Sequence, residues 1–577
     1  MKLMNKAVIV LAVASLVGLG ACKKSEKKAD GDEVAQSAAL MQQDAPAADQ
    51  KWEKADVNGL LTFVPEDTAF VVASTRLLSD NPLMDKVIAY SRKVFEVSKK
   101  TMDIDDPEIQ AQKAKCAELF KYSDELLALD LAKMADRLGV DPKFHSDEIA
   151  YNLDKTIVIK QSGVVDYKKL SAELDKMMGL ASQCAGVAFP QPTEVKTGDA
   201  AWRVYDIEKW VASLGEDVPK DANGKSILPG SLAMNETNGI LTVALVDASN
   251  TDALAATLKP AAKALTKDAL GNIAPDAYAL GYIDNVKAAQ VLLSLDPSIP
   301  DNCKTEISGI VANFPRFNFT YRVDNDGNPL YNDNTLVLTD KAELKKLQEL
   351  FVAHSDLIND KSLAGLSLNV DIAKSLAYAK GVYDAMVAKN YTCDAVKELQ
   401  DAVKNVADLG SDPQAAAFIN GISNLNVSLE NFDMKDPANL VLDAVVSLEG
   451  ASVGTTIPML VGLAAAGSPE LAKALRFVKG EVTDIDLTPM VQMPIKVKAY
   501  LNDTQLVVGT ETHDVKAVAD GKKVDDKAFL RILLDMSLIG KISNEIPANL
   551  SIDSKVDGGL GTNADGLTLN WNMKYKF

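Results

Sequence analysis

The segment NGILTVALVDASNTDALAATL (Asn238–Leu258) combines a turn, a strand, a polar break and a helix. Its Asn-Gly pair favours a hairpin turn, its β-branched run favours a strand, and that run ends at Asp247, a residue type suited to cap a following helix. The same order of elements recurs in NDNTLVLTDKAELKKLQEL (Asn332–Leu350) and NDTQLVVGTETHDVKAVAD (Asn502–Asp520), and more loosely in DKTIVIKQSGVVDYKKLSAEL (Asp154–Leu174).

A second recurring element runs from a strand directly into a helix. It begins at Pro65 (PEDTAFVVASTRLL), at Pro275 (PDAYALGYIDNVKAAQVLL) and at Lys361 (KSLAGLSLNVDIAKSLAYAK). Hairpins imply antiparallel sheets, and the evenly spaced βαβ pattern of a parallel fold is missing. We therefore expect an α+β fold of repeated β-hairpin–helix modules, duplicated or triplicated, whose antiparallel sheets carry helices on one face.

The length of the chain favours two or three such domains. Composition shifts divide it into a signal peptide (1–21), a flexible tether (22–56), an N-terminal α+β domain (57–270), a second α+β domain (271–450) and a C-terminal α+β region (451–577).

Charge and composition restrict the classes of function. The formal net charge is −19, which argues against a nucleic-acid partner. The chain has three histidines, widely spaced at His145, His354 and His513, and neither an H-x-x-x-H nor a C-x-x-C motif. We therefore expect no metal site and no cofactor, and isolated surface or capping histidines.

The N-terminus carries the most specific motif in the sequence. Lys2 and Lys6 precede the apolar run Ala7–Leu19, which is too short to span a bilayer, and Leu19-Gly20-Ala21-Cys22 follows. This order closely resembles the lipobox of bacterial lipoproteins. The resemblance implies diacylation of the Cys22 thiol and cleavage before Cys22. An ordinary cleaved signal with an incidental Cys22 is the alternative.

Lipidation at Cys22 would place the protein in the bacterial cell envelope. Lys23 at the following position implies the outer membrane by the enteric sorting rule, with the body facing the periplasm. The polar tether gives a reach of about 30 Å. Its lysines could contact anionic headgroups, although a solvated linker is the simpler interpretation. The sequence leaves cell-surface display open.

Four cysteines follow Cys22, an even number that favours disulfides in an exported protein. The simplest of the three possible pairings joins Cys116 to Cys184 and Cys303 to Cys393, because each bridge then stays within one half of the chain. Four reduced buried thiols are the alternative.

The best enzyme-like match is Gly450-Ala451-Ser452-Val453-Gly454, which fits the G-x-S-x-G nucleophile elbow. Asp486 and His513 follow in the order of a hydrolase triad. The span from Ser452 to His513 is short, however, and no HGGG-type oxyanion segment precedes it. A strand-to-helix corner in which Ser452 caps the helix explains the same residues, so we expect a protein that is not an enzyme.

Two apolar segments are candidates for binding. IPMLVGLAAAG (Ile457–Gly467) is apolar on every side, which is typical of a buried helix, with lipid contact as the alternative. In LTLNWNMKYKF (Leu567–Phe577) apolar and polar residues alternate, which predicts a strand that packs its apolar side on helices.

The body loosely resembles uncharacterised extracytoplasmic bacterial proteins with repeated hairpin–helix modules, a likeness that implies no catalytic residues. We expect a lipid-anchored, non-enzymatic module that binds an envelope protein or supports envelope structure. A carrier of an apolar ligand, such as a lipid or acyl chain, is the alternative, and a serine hydrolase at Ser452 is a second alternative.

Overall fold

The computed structural model describes residues 58–575 except positions 75–106, 130, 141–147, 154–155, 165, 189–190, 210–229, 248–249, 271–278, 296–297, 324–328, 332–333, 411–421, 434–440, 468–474, 476, 489–494, 525–527 and 539–553. The predicted signal peptide and tether, with Cys22, lie outside the described residues, and so does His145.

The protein is a mixed α+β fold dominated by antiparallel strands. The strands are β1 Phe70–Ser74, β2 Glu148–Leu153, β3 Thr156–Gln161, β4 Thr193–Thr197, β5 Ala200–Asp206, β6 Ser231–Thr237, β7 Ile240–Val246, β8 Ala279–Asp284, β9 Arg316–Val323, β10 Pro329–Tyr331, β11 Thr335–Val337, β12 His354–Ser355, β13 Ala364–Asn369, β14 Asn424–Asp433, β15 Val441–Glu449, β16 Val482–Asp486, β17 Lys496–Leu501, β18 Gln505–Thr510, β19 Lys523–Val524, β20 Ala528–Asp535, β21 Ser554–Thr562 and β22 Gly566–Tyr575.

Helices connect many of these strands. They are α1 Asn58–Leu61, α2 Pro107–Leu127, α3 Leu131–Leu138, α4 Tyr167–Ala185, α5 Thr251–Thr257, α6 Asn285–Leu295, α7 Asp301–Val311, α8 Lys341–Gln348, α9 Ile372–Ala388, α10 Asp394–Asp408, α11 Val453–Gly467 and α12 Val515–Ala519, with a 3-10 turn at Lys267–Leu270. Among the helices of the described ranges, none has both the length and the apolar character needed to cross a bilayer.

The three segments with the turn–strand–helix pattern form strand–helix pairs. In the first, Asn238 and Gly239 both have positive φ, as the tight turn between β6 and β7 requires, and β7 leads to α5. The cap of α5 is Asn250, whose side chain accepts from the Ala253 amide at 3.0 Å, rather than the predicted Asp247. The other two segments form β11–α8 and β18–α12, capped by Asp340 and Asp514.

Nearly all strands join one antiparallel sheet. Its first half runs β4-β5-β6-β7-β3-β2-β1-β8-β9. Its second half runs β22-β21-β20-β13-β14-β15-β18-β17-β16. The short strands β10 and β11 lie between β9 and β22 and join the halves. Pairs such as β1–β8 and β15–β18 cross the domain boundaries predicted near 270 and 450.

The prediction of helices on one face is wrong at the ends of the sheet. In β5, Tyr205 packs with Tyr167 and Leu170 of the α4 region, whereas Val204 packs with Leu254 of α5 on the opposite face. Both faces of these outer strands are apolar, so both must be covered. The far end repeats this arrangement with α11 and α12.

Both disulfides are present with the pairing expected as simplest. Cys116 of α2 bonds to Cys184 of α4, and Cys303 of α7 bonds to Cys393, the residue before α10. The second bridge lies in a small cluster with Val396 and Met386 that holds the helices of this region together.

Candidate functional site: an apolar sheet face above a polar interior

The second half of the sheet presents a broad hydrophobic surface, which we call the apolar face. Cross-strand register places Leu366 of β13 beside Ile532 of β20, and Ile532 in line with Gly558 of β21 and Trp571 of β22. Because paired residues in antiparallel strands share a face, alternate positions along these strands add to the same surface. Further members are Leu368, Leu425, Val427, Leu530, Leu534, Val556, Leu560 and Leu569.

This face is open rather than packed. Ile532 is 49% exposed and Trp571 is 42% exposed, and Leu366, Leu534 and Leu569 are exposed as well. Large apolar side chains exposed singly are common, but contiguous ones are rare on a monomer surface. The contiguity of these side chains marks the face as a candidate binding surface.

The apolar face continues into the first half of the sheet. Leu567 of β22 pairs with Leu336 of β11, Leu336 pairs with Phe317 of β9, and Phe317 pairs with Ile283 of β8. Phe319 lies two residues along β9 on the same side. From β14 to β8 the surface is about 35 Å wide at the usual strand spacing.

A layer of four helices contacts the sheet at β8 and β9. Helix α9 packs on α10, α10 on α7, and α7 on α6, while α6 contacts β8 and β9. No residue of α9 is fully buried, although the helix is rich in apolar residues. Val291 and Leu292 of α6 are exposed too. These helices therefore expose apolar residues of their own.

The opposite side of the same strands is polar and buried. Ser367 and Asn369 of β13, Asn426 and Ser428 of β14 and Ser447 of β15 are all buried. The Ser367 hydroxyl donates to Asn369 at 2.8 Å and also contacts Asn426, and the Asn369 amide donates to the Ala528 carbonyl at 3.1 Å. Hydrogen bonding offsets much of the cost of burying these groups.

Glu449, at the end of β15, is the centre of this polar interior. Its carboxylate accepts from Lys523 Nζ at 2.7 Å, from the Ser355 hydroxyl at 2.6 Å and from Asn424 Nδ2 at 3.1 Å. Burial would raise the pKa of Glu449, but hydrogen bonds from Lys523 and Ser355 outweigh burial and lower the pKa. Glu449 is therefore ionised and paired at neutral pH.

A second ion pair extends the polar interior under β20 and β21. Arg531 donates to both carboxylate oxygens of Asp557, at 3.1 and 2.8 Å, and lies 3.5 Å from Asp356. A two-bond arginine–carboxylate contact fixes geometry as well as charge. Together with Glu449, this ion pair places the polar side of the sheet in the interior, so the apolar side faces outward.

The C-terminal strand therefore differs from its sequence prediction. The expected inward side, with Leu569 and Trp571, is exposed, whereas Thr568 on the other side is buried. The reason is register: β22 pairs with β21, whose Asp557 side faces the polar interior.

The structure does not bring Ser452, Asp486 and His513 together. Ser452 follows the Glu449 end of β15, where its hydroxyl lies 3.1 Å from that of Thr456 in α11. His513 lies at the other end of β15, 2.9 Å from Asp443, about 20 Å along the strand from Glu449 at normal strand rise. Asp486 accepts from the Thr488 amide at 2.9 Å. These three residues form no catalytic triad.

His513 was expected to be an isolated side chain, and that prediction is wrong. Its imidazole lies with the carboxylates of Asp443 and Glu430, with the nearest ligand atoms within 4.8 Å of one another. Sequence spacing gave no sign of the group, because the strands that carry it pair only in the folded sheet. The polar interior was also missed, although β13 (AGLSLN) and β14 (NLNVSLE) show the alternation of polar and apolar residues.

No family model matches the sequence, and no curated protein matches it. A solved structure titled "Structure of crystal form I of TP0453" aligns with 51% of this chain and 87% of that chain at 10% identity and a TM-score of 0.22.

Proposed function

We propose that this protein is a lipid-anchored envelope protein whose apolar face binds acyl chains, in a binding role rather than an enzymatic one. One observation carries the proposal: a contiguous hydrophobic sheet surface, centred on Ile532 and Trp571, is open while the polar side of the same strands is buried. A surface of this kind marks a ligand or partner site.

The chemistry of the face favours acyl chains over a protein partner. From β13 to β22 the central positions are Leu, Val, Ile, Ala, Gly, Trp and Met, without a hydrogen-bonding side chain except the Trp571 indole. Protein interfaces form about one hydrogen bond per 100–200 Å². Acyl chains need none, and each buried methylene contributes about 0.8 kcal/mol. The surface therefore suits hydrocarbon.

The anchor supports the same role. We infer that Cys22 is acylated, that the chain is exported and that residues 22–56 tether the body to the outer membrane on its periplasmic side. The tether's reach of about 30 Å keeps the body close to lipid without burying it in the bilayer.

Two related units would account for the extent of the face. β1 pairs with β2 and β8 as β13 pairs with β14 and β20. β7 joins β3 to β6 as β18 joins β15 to β17. We infer a duplicated hairpin–helix module, with the halves meeting where β11 pairs with β22. This division is an alternative to the boundaries predicted near 270 and 450.

The test uses the body exported with a signal that leaves no lipid, so that detergent does not compete. Extracted lipids are identified by mass spectrometry, and a fluorescent fatty acid is titrated into the delipidated protein. We expect bound lipid in the wild type and at least tenfold weaker binding in an Ile532→Asn/Trp571→Ser variant. A Val478→Asn variant, changed at an exposed apolar position of the loop before β16, is the matched control.

The outcomes separate three roles. Saturable fatty-acid binding that only the double variant loses supports the acyl-chain site. Binding to vesicles without uptake of free fatty acid identifies the bilayer itself as the source of the chains. No lipid, together with a stoichiometric envelope protein lost from crosslinked cells in the double variant, contradicts the proposal and favours the protein-binding module.

A further inference from the structure

We propose that Glu430, Asp443 and His513 form a binding site for a divalent transition-metal ion, with Zn²⁺ as the best-suited metal. The three side chains come from β14, from β15 and from the turn between β18 and α12. The site is separate from the apolar face and does not depend on the acyl-chain proposal.

The donor atoms are already gathered. One ligand atom from each side chain lies within 4.8 Å of the other two, and His513 Nε2 is 2.9 Å from Asp443 Oδ1. Ligands bound to Zn²⁺ at about 2.1 Å stand about 3.4 Å apart in a tetrahedron. Around an ion, the widest pair would close by at most about 1.4 Å and the His513–Asp443 pair would open by about 0.5 Å.

His513 gives an independent reason to expect an ion. Its Nε2 is shielded from solvent and, despite the short distance to Asp443, makes no properly directed hydrogen bond. A buried imidazole nitrogen without a hydrogen bond is costly. Coordination of a cation by its lone pair would remove that cost.

Neighbouring side chains donate hydrogen bonds to both carboxylates, as outer-shell residues do in metal sites. Asn359 Nδ2 donates to Glu430 Oε1 at 2.8 Å, and the Thr510 hydroxyl donates to Asp443 Oδ1 at 2.6 Å. Thr512 contacts the same Asp443 oxygen. Outer-shell hydrogen bonds of this kind orient ligands and tune metal affinity.

A β-bulge places the third ligand. The register between β14 and β15 shifts between Leu429 and Asn431, and Glu430 is the extra residue. Bulges re-aim side chains beside functional sites. One imidazole with two carboxylates suits Zn²⁺ or Co²⁺, whereas Mg²⁺ and Ca²⁺ prefer sets made entirely of oxygen ligands.

The experiment titrates the purified full-length chain, stripped with a chelator, with Zn²⁺, Co²⁺ and Mg²⁺ by calorimetry. We expect one Zn²⁺ per chain, a visible absorption band with Co²⁺ that Zn²⁺ displaces, and no comparable heat with Mg²⁺. Glu430→Gln and His513→Ala should each weaken Zn²⁺ binding at least tenfold, whereas Glu481→Gln, at an exposed turn, should not.

Imidazole nitrogen NMR of the wild type keeps the proposal testable if a variant misfolds, because the chain has three histidines to resolve. Selective shifts of the His513 nitrogens on adding Zn²⁺ support the site. Absence of Zn²⁺ binding, or Zn²⁺ binding that leaves His513 unshifted or survives both ligand variants, overturns it.

Discussion

The two halves of the sheet put strands in matching positions over interiors of opposite character. Beneath β1, Val71 and Ala73 are completely buried in an apolar cluster with Ile149 and Tyr151. In the second half, β13 likewise pairs with the next strand in the chain, β14, and with the later strand β20. Its buried residues Ser367 and Asn369 are nevertheless polar. The same arrangement of strands therefore covers an apolar interior in one half and a polar interior in the other.

The two interiors depend on different physical terms. The apolar cluster depends on close packing and tolerates a polar group poorly, whereas the polar interior depends on hydrogen bonds among its buried groups. Each also contains a lysine, fully buried in the first half and partly buried in the second. Lys160 in the first half donates to the Thr242 hydroxyl at 3.0 Å and lies 4.1 Å from the Phe63 ring, whereas Lys523 in the second is paired with Glu449.

Removal of Glu449 should have the largest effect. Glu449→Ala leaves Lys523, Ser355 and Asn424 without their shared acceptor, and we expect a loss of about 3–5 kcal/mol in the free energy of unfolding. Urea denaturation measures it. Glu481→Ala on the surface should change stability by less than about 0.5 kcal/mol. A loss no larger than that of the control would show that the polar interior contributes little.

Glu449 also predicts a pH dependence. Its pKa is lowered in the folded protein, so its stabilisation is complete above the unfolded pKa and is lost as the pH falls through the folded pKa. Stability of the wild type should fall in acid more steeply than that of Glu449→Gln.

Lys160 differs from Glu449 in that folding disfavours its charged form. Burial lowers its pKa from 10.5 to about 8, so between these values the unfolded chain binds more protons and stability rises with pH. At pH 7 the folded state bears the full cost of the buried charge, and we expect Lys160→Met to stabilise by at most about 3 kcal/mol. Denaturation at pH 7 and above pH 10.5 tests this, because the difference should vanish at the higher pH. A constant difference would assign the effect to packing.

Exchange of side chains between the interiors should cost somewhat less. Val71→Ser buries a hydroxyl in the apolar cluster, and Ser367→Val takes a donor from Asn369 and Asn426. Each should destabilise by about 1–3 kcal/mol, measured by urea denaturation. Val71→Ala separates the cavity from the hydroxyl. Stabilisation by Ser367→Val would mean that the polar interior is replaceable by apolar packing.

Several strands of each half could be predicted from the sequence, but the inward face of the second half could not. The pattern of β13 and β14, with Leu and Val alternating with Ser and Asn, shows that the two faces differ. In an alternating strand, the apolar face is normally assigned to the interior of the protein. The side chains that reverse it, Lys523 and Arg531, come from later in the chain, and no local pattern links them to their partners.

The same limit applies to the candidate sites. The cysteine pairing followed from sequence distance alone, because short separations were the simplest choice. Ser452 matched a motif, yet β15 separates it from His513. Glu430, Asp443 and His513 matched none and still meet, because pairing of β14, β15 and β18 is a property of the sheet.

The smallest effect on stability should come from the apolar face, and that small effect is informative. Ile532→Thr keeps a β-branched residue at a half-exposed strand position, so we expect a change within about 0.5 kcal/mol. Ile149→Thr, buried in the apolar cluster of the first half, should cost several times more. If Ile532→Thr were as costly as Ile149→Thr, the face would be packed in solution. A neutral Ile532→Thr that still weakens fatty-acid binding would show that this residue is maintained for its ligand and not for the fold.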